Sequence, residues 1–149
     1  MAILIADTDV LIDFLAGQNP TAAQIAAELE MGTLCTTAVT RFELLSGART
    51  AAQERRIRRL LDALPTVPLD TRAADQAARI RLDLERKGTA IGMGNSLIAG
   101  IVLYHQATLF TRNRRHFERV AGIAPCAVTL GSDGVNVLSP FSPPRRWIT

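Results

Sequence analysis

Three polar residues that lie far apart in the sequence have side chains that can bind a hard divalent cation: Asp7, Glu43 and Asn95. Each lies where a strand or a glycine-rich loop is expected to lead into a helix. In parallel α/β sheets, ligands bind beyond the carboxyl ends of the strands, so residues placed in this way can meet at one edge. Mg²⁺ is bound by a few carboxylate oxygens and by waters in near-octahedral geometry. The pattern is therefore consistent with a metal site at the edge of a sheet.

Alternating strands and helices are predicted to position these residues. Short apolar or β-rich runs predict strands at residues 2–6, 34–37, 66–69, 108–110 and 127–130. Helical spacing, capping residues and glycine or proline stops predict helices at residues 8–15, 20–32, 40–45, 50–64, 70–87, 95–104 and 114–120. This alternation favours an α/β fold, a central parallel sheet with helices on both faces. The stretch 131–149 is rich in Ser, Pro and Gly, so we predict one domain at 1–130 and an irregular C-terminal tail at 131–149.

Each candidate ligand also has a purely structural interpretation. Asp7 could serve only as an acidic residue at a helix N-terminus, where the helix dipole favours it. Glu43 ends a capping-box pattern that begins at Thr40, and Asn95 is a good N-cap residue. Asp9 could be a capping or solvated acid, or it could be a further ligand. Spacing alone leaves all these alternatives open.

Composition and motifs exclude several classes of protein. The 149 residues fit one domain, and no apolar run approaches the roughly 20 residues of a membrane span. The N-terminus lacks the basic lead of a secretory signal. Cys35 and Cys126 form no CxxC pair, so a cytoplasmic, reduced protein is expected. No glycine-rich phosphate loop of the Rossmann or P-loop type follows the first strand, which argues against a nucleotide-binding α/β domain.

Arginine supplies almost all of the positive charge. The formal net charge is +3, and Lys87 is the only lysine. Some of the arginines form three groups, at 55, 56, 58 and 59, at 112, 114 and 115, and at 145 and 146. Such groups could bind nucleic-acid phosphates or an acidic partner, whereas the first group could equally be a solvated helix face.

Four blocks of the sequence, in order, resemble the blocks of PIN-domain proteins. They are Ile5–Ile12 with Asp7, Thr37–Gly47 with Glu43, Ile91–Gly100 with Asn95, and Leu109–Phe117. Their order and spacing agree from residue 2 to about residue 120, which is most of the chain. Within the family, the chain is most similar to VapC-type toxins of toxin–antitoxin pairs.

The resemblance implies a PIN-like three-layer α/β/α fold with a central parallel sheet. It also implies a Mg²⁺- or Mn²⁺-dependent endoribonuclease that acts on RNA, is silenced by a VapB-type antitoxin and forms a homodimer. Asp7 and Glu43 would be acidic metal-site residues, with position 95 completing the catalytic set. Thr8 or Thr111 could hydrogen-bond a carboxylate or water behind the ligands. The basic side chains expected to contact the RNA backbone are Arg112, Arg114 and Arg115.

Two departures from the family pattern bear on activity. The third block usually carries Asp where this chain has Asn95, and the fourth often carries an acid near Asn113 or His116, where this chain has none. Asp9 stands where Asn or Ser is usual and could add a carboxylate. One hypothesis is a toxin nuclease inactivated at position 95, by an engineered change or by natural loss. The alternative is a catalytically silent PIN-fold module that binds RNA or an antitoxin.

Overall fold

A computed structural model of the chain describes residues 3–123, together with the backbone of residues 125–129 and 136–138. The strands are β1 (Leu4–Ala6), β2 (Leu34–Thr37), β3 (Thr66–Val67), β4 (Thr108–Thr111), β5 (Pro125–Thr129) and β6 (Asn136–Leu138). The helices are α1 (Thr8–Leu15), α2 (Thr21–Met31), α3 (Ala38–Gly47), α4 (Ala51–Asp62), α5 (Thr71–Arg86), α6 (Met93–Tyr104) and α7 (Arg114–Phe117). The predicted alternation of strands and helices is therefore confirmed.

The strands form one sheet in the order β3-β2-β1-β4-β6-β5. Strands β3, β2, β1 and β4 are mutually parallel, whereas β6 runs antiparallel to both β4 and β5. Strand β1 lies between β2 and β4, so the carboxyl ends of these three strands share one edge of the sheet. The chain segments that leave this edge lead into α1, α3 and α7.

Side chains of β1 contribute to two separate cores, one on each face of the sheet. Leu4 and Ala6 pack with residues of α1, α2, α3 and α4, and Ile5 packs with residues of α5 and α6. All three are buried, as expected for a parallel strand that is covered on both faces. The predicted three-layer α/β/α architecture is confirmed.

Close packing between α5 and α6 fixes the position of α6. A Cβ at Gly100 would lie 2.6 Å from the Ala73 carbonyl oxygen and 2.6 Å from Ala77 Cβ. Only glycine permits an approach this close, because the obstacle is the backbone of α5. The N-terminus of α6, which carries Asn95, is thereby placed against the rest of the domain.

Two helix starts differ from the sequence prediction. Helix α3 begins at Ala38, because the Thr37 hydroxyl at the end of β2 accepts a hydrogen bond from Thr40 N (3.0 Å). Helix α6 begins at Met93, after Gly92, whose φ of 88° is tolerated by glycine. The predicted starts at Thr40 and Asn95 were therefore wrong, and both residues lie inside their helices.

Several smaller boundaries also differ from the prediction. Strand β3 is only two residues long, because Pro68 has no N–H to continue the ladder. Residues 136–138 form a strand, so the expectation of irregular structure was wrong for these three. The rest of the stretch 131–149, including Arg145 and Arg146, lies outside the described residues. None of the described helices combines the length and apolar character needed to cross a membrane.

Candidate metal centre at the sheet edge

Asp7 is a buried carboxylate at the end of the central strand β1. Its backbone N–H donates to the Phe110 carbonyl oxygen (2.9 Å), which continues the pairing with β4. Its Oδ1 accepts from Thr8 N (2.8 Å), and its Oδ2 accepts from the Thr111 hydroxyl (2.7 Å). Asp7 is thus the N-cap of α1. The capping role and a ligand role are compatible, because capping uses only part of the carboxylate's acceptor capacity.

Asp9 lies beside Asp7, on the first turn of α1. Its Oδ2 accepts from Arg112 N (3.0 Å) and lies 3.3 Å from the Thr111 hydroxyl oxygen. Its Oδ1 is buried and accepts no hydrogen bond. Asp9 is therefore neither a helix cap nor a solvated acid, the two structural interpretations that the sequence allowed. Thr111 lies between the two carboxylates and holds Asp7 with the shorter bond.

Glu43 brings a third carboxylate to the same edge from α3. Its Oε1 accepts from the Thr8 hydroxyl (2.9 Å), which lies 3.0 Å from the Thr40 hydroxyl. The capping-box interpretation was wrong, because Thr40 N is already bonded to Thr37. A Cβ at Gly94 would lie 3.6 Å from Glu43 Oε2, so the carboxylate lies against the first turn of α6.

The electrostatics of this acidic group are unfavourable in the absence of a cation. The pKa of Asp7 is raised from 3.8 to about 7, first by burial and then by the negative charge of Asp9. Hydrogen bonds from Thr111 and Thr8 oppose this rise, and the charge of Glu43 adds to it. Burial also raises the pKa of Asp9, opposed mainly by the Arg112 N–H. A bound cation would relieve the repulsion between these carboxylates.

Asn95 lies on the first turn of α6 and is not an N-cap. Its Nδ2 donates to the Ile91 carbonyl oxygen (2.9 Å) and lies 3.2 Å from His116 Nδ1. The Asn113 Nδ2 lies 2.8 Å from the same ring nitrogen. Asn95 is therefore joined to α7 through His116, a connection that the sequence did not predict.

The three predicted ligands reach this edge from separate elements. Asp7 and Glu43 both contact Thr8, through its N–H and its hydroxyl respectively. Asn95 follows Gly94, the residue against which the Glu43 carboxylate lies. Between residues 3 and 123, however, no group of three Asp, Glu, His or Cys side chains could hold a metal ion. A third protein ligand would therefore be a neutral group.

The predicted RNA-binding arginines differ in their contacts. Arg112 Nε forms an ion pair with Asp13 Oδ2 (2.6 Å), and Asp13 is buried on α1. Arg114 pairs with Glu118, the C-cap of α7, and Arg115 is exposed and unpaired within the described part of the chain. Arg112 therefore ties the β4–α7 loop to α1, and Arg115 is the member of the group most available to a phosphate.

A mostly apolar groove of about 370 Å³ lies between α1, α3 and α4. Its apolar lining includes Ile12, Leu15, Leu44, Ala48 and Ile57. Glu43, Gln53 and Arg56 line it as well, so one carboxylate belongs both to the acidic group and to this groove. Arg56 also donates a hydrogen bond to the Leu15 carbonyl oxygen, at the end of α1.

Comparison with known proteins identifies the family of the chain. Residues 4–123 match the PIN domain. The tRNA(fMet)-specific endonuclease VapC of Salmonella typhimurium is 32% identical over 121 residues, covering 78% of this chain and 91% of the relative. Ribonuclease VapC10 of Mycobacterium tuberculosis is 30% identical over 122 residues, covering 82% and 91%.

A solved structure shows the same fold. DNA-bound VapBC from Salmonella typhimurium superposes with a TM-score of 0.71 at 29% identity, covering 81% of this chain and 94% of that one. The chain therefore belongs to the PIN domain family. The relatives that it resembles within that family are VapC ribonucleases.

Proposed function

We propose that this chain is the toxin component of a type II toxin–antitoxin system, an endoribonuclease that uses Mg²⁺ or Mn²⁺ to cleave RNA phosphodiesters in the cytoplasm. Membership of the PIN domain family and likeness to relatives named as VapC ribonucleases support the toxin and nuclease assignment. The observation that carries the metal dependence is Asp9 Oδ1, a buried oxygen that accepts no hydrogen bond. Asp9 lies two residues from Asp7, whose side chain is buried.

The residues at this edge fit a hard cation. Asp7, Glu43 and Asn95 would hold it through oxygen atoms, and the negative charge of the nearby Asp9 would add to the attraction. The unpartnered Asp9 Oδ1 and the raised pKa of Asp7 both indicate negative charge that the protein itself leaves uncompensated. When bound, the cation supplies Lewis acidity, which favours attack by water and stabilises charge on the leaving oxygen.

The remaining residues orient these groups and bind the substrate. The Thr111 hydroxyl fixes Asp7, and the Thr8 hydroxyl fixes Glu43, so each carboxylate is held in one rotamer. Arg115 would bind an RNA phosphate, since its guanidinium has no ion-pair partner in the described structure. Arg114 would reach the same backbone only by leaving Glu118.

The groove between α1, α3 and α4 is the surface that we assign to a VapB-type antitoxin. Structures similar to this chain include VapBC complexes. Ile12 is 51% exposed although apolar, and such surface favours a partner that buries it. Glu43 would attract a basic side chain of the antitoxin, which would compete with the metal for this carboxylate. Homodimer formation stays a prediction from the family resemblance.

A second candidate function is favoured by the neutral side chains at the edge. Asn95 and His116 occupy positions where the family often carries acids, and they contact each other instead of the carboxylates. A PIN-fold module that binds RNA or an antitoxin without cleavage would need no third or fourth acid. It would show little affinity for Mn²⁺.

Metal binding and RNA cleavage, measured on the same preparation, test both candidates. We would titrate the antitoxin-free protein with Mn²⁺ by calorimetry and follow cleavage of labelled RNA with Mn²⁺, with Mg²⁺ and with excess chelator. The matched control is Asp7→Asn, which keeps the shape of the side chain and removes its charge. Metal-dependent cleavage that Asp7→Asn abolishes supports the nuclease. An absence of both Mn²⁺ binding and cleavage contradicts it and favours the silent module.

A further inference from the structure

The orientation of the Asn95 amide is fixed by two acceptors. A side-chain amide nitrogen carries two hydrogens, and here one is directed to the Ile91 carbonyl oxygen and the other to His116 Nδ1. Rotating the amide by 180° would place Asn95 Oδ1 against the Ile91 oxygen, which can only accept. The Ile91 contact at 2.9 Å therefore excludes the rotated form.

This orientation in turn fixes the state of the imidazole. His116 Nδ1 faces the Nδ2 atoms of both Asn95 (3.2 Å) and Asn113 (2.8 Å). With Asn95 Nδ2 as the donor, we assign His116 Nδ1 as its acceptor. The only Asn95 side-chain atom without a partner among the described residues is then its carbonyl oxygen, Oδ1.

The position of this network relates it to the acidic group. Asn95 follows Gly94, against which Glu43 lies, and His116 belongs to the segment that starts at Thr111, the residue that holds Asp7. A carbonyl oxygen of Asn is an accepted ligand for hard divalent cations. No three acidic or His/Cys side chains within residues 3–123 could hold a metal, so a neutral oxygen is what the site requires.

We infer that His116 is a positioning residue that presents the Asn95 carbonyl oxygen as a neutral third ligand. This inference rests on the proposed metal-dependent function. His116 Nδ1 and the Ile91 carbonyl together hold the amide nitrogen away from the cation, which only the oxygen can bind. Asn95 and His116 are therefore complementary, because the acceptor His116 Nδ1 is satisfied by an NH₂ donor at position 95.

The pair makes a specific prediction for an acid at position 95. In Asn95→Asp, one carboxylate oxygen would face the Ile91 carbonyl oxygen and the unprotonated His116 Nδ1, so two acceptor contacts would become repulsive. We expect Asn95→Asp to leave Mn²⁺ affinity and RNA cleavage no higher than in the wild-type chain. A clear gain in both would overturn the inference and would favour an inactivating change at position 95.

The direct test is calorimetric titration of the full chain with Mn²⁺ in matched variants. His116→Ala removes the acceptor and should weaken Mn²⁺ binding on the order of tenfold to a hundredfold. His116→Asn places an oxygen acceptor near the position of Nδ1 and should restore most of that loss. Asn95→Ala should bind as weakly as His116→Ala, and the double variant should be no weaker than Asn95→Ala alone, because both changes remove one ligand.

Each other outcome overturns the inference. Wild-type affinity in His116→Ala shows that the imidazole positions nothing, while the proposed metal dependence stands. If His116→Asn and His116→Ala lose Mn²⁺ affinity equally, and thermal unfolding of the metal-free proteins is unchanged, the hydrogen-bond acceptor at position 116 does not determine Mn²⁺ binding. Failure of the wild-type chain to bind Mn²⁺ overturns both this inference and the metal dependence, so the two failures are distinguishable.

Discussion

The two sides of the sheet edge differ in how their polar groups are satisfied. On one side, Asp7 and Asp9 are packed together, and the pKa of each is raised by burial. The other side, called the neutral side because it lacks carboxylates, contains Asn95, Asn113 and His116, which form hydrogen bonds among themselves. The acidic side stores unfavourable charge, whereas the neutral side has no carboxylate and leaves the Asn95 carbonyl oxygen without a partner among the described residues. Under the proposed function, the binding energy for a cation would come from the acidic side and the orientation of its neutral ligand from the other side.

The largest effect is expected from removing the charge of Asp7. A group whose folded pKa lies above its unfolded value makes the metal-free protein less stable as pH rises from 3.8 to about 7. Asp7→Asn should therefore stabilise the metal-free protein above pH 7, by up to about 4 kcal/mol, and should have little effect below pH 4. Denaturant unfolding across this pH range measures the difference. A constant difference at all pH values would contradict the raised pKa.

Gly100→Ala should disturb the neutral side through the packing of its helix. The new methyl group would overlap the Ala73 carbonyl oxygen, so α6 must shift away from α5. We expect a loss of about 3 kcal/mol in the free energy of unfolding. The matched control is Gly47→Ala, where a Cβ meets nothing within 4 Å and should be neutral or slightly stabilising. Equal stabilities of the two variants would show that α6 is not held in this way.

Thr111→Val tests the acidic side by removing the hydroxyl that donates a hydrogen bond to Asp7. The 2.7 Å hydrogen bond to Asp7 lowers the pKa of that carboxyl, so its loss should raise the pKa further. We expect a loss of stability of about 2 kcal/mol above pH 7. Thr111→Ser keeps the donor and should behave like the wild-type chain. Carboxyl titration by NMR measures the pKa, and an unchanged Asp7 titration in Thr111→Val would refute the assignment.

Arg112→Ala is expected to have the smallest of these effects. It leaves the Asp13 carboxylate buried without its ion pair, while the backbone bond from Arg112 N to Asp9 remains. The arginine is partly exposed, so solvent screening limits the loss to about 1 kcal/mol.

Arg115→Ala, at an exposed and unpaired side chain, should not change stability but should weaken RNA binding and reduce its salt dependence. If Arg115→Ala lowered stability and Arg112→Ala weakened RNA binding, Arg112 would be the RNA-binding residue and Arg115 the structural one.

The fold was predictable because its signals are local. The buried run at β1 and the Gly and Pro stops between helices determine the alternation of elements, and alternation defines the class. The helix starts at Thr40 and Asn95 were mispredicted for a physical reason. Thr37 and Gly92 each lie three residues before the expected helix start. Thr37 accepts a hydrogen bond in the first turn of α3 and Gly92 turns the chain into α6, so they replace the apparent caps.

The site was predictable only in part, because its decisive contacts are long-range. Asp7 and Glu43 could be assigned from the family blocks, but the contact of Asp9 with Thr111 spans 102 residues. Asp9 had one local signal, its i+2 spacing from Asp7, which spacing alone could not separate from a capping role. The pairing of Asn95 with His116 had none, since either side chain is common as a surface or capping group.

Glu43 lines the apolar groove and also belongs to the acidic group. Under the proposed function, occupation of the groove and occupation of the metal centre would therefore be linked equilibria that share one carboxylate. If a bound partner lowers the affinity for the cation by some factor, the cation must lower the affinity for that partner by the same factor. Release of the partner and binding of the metal would then be a single exchange, with a midpoint set by the concentration of divalent cation.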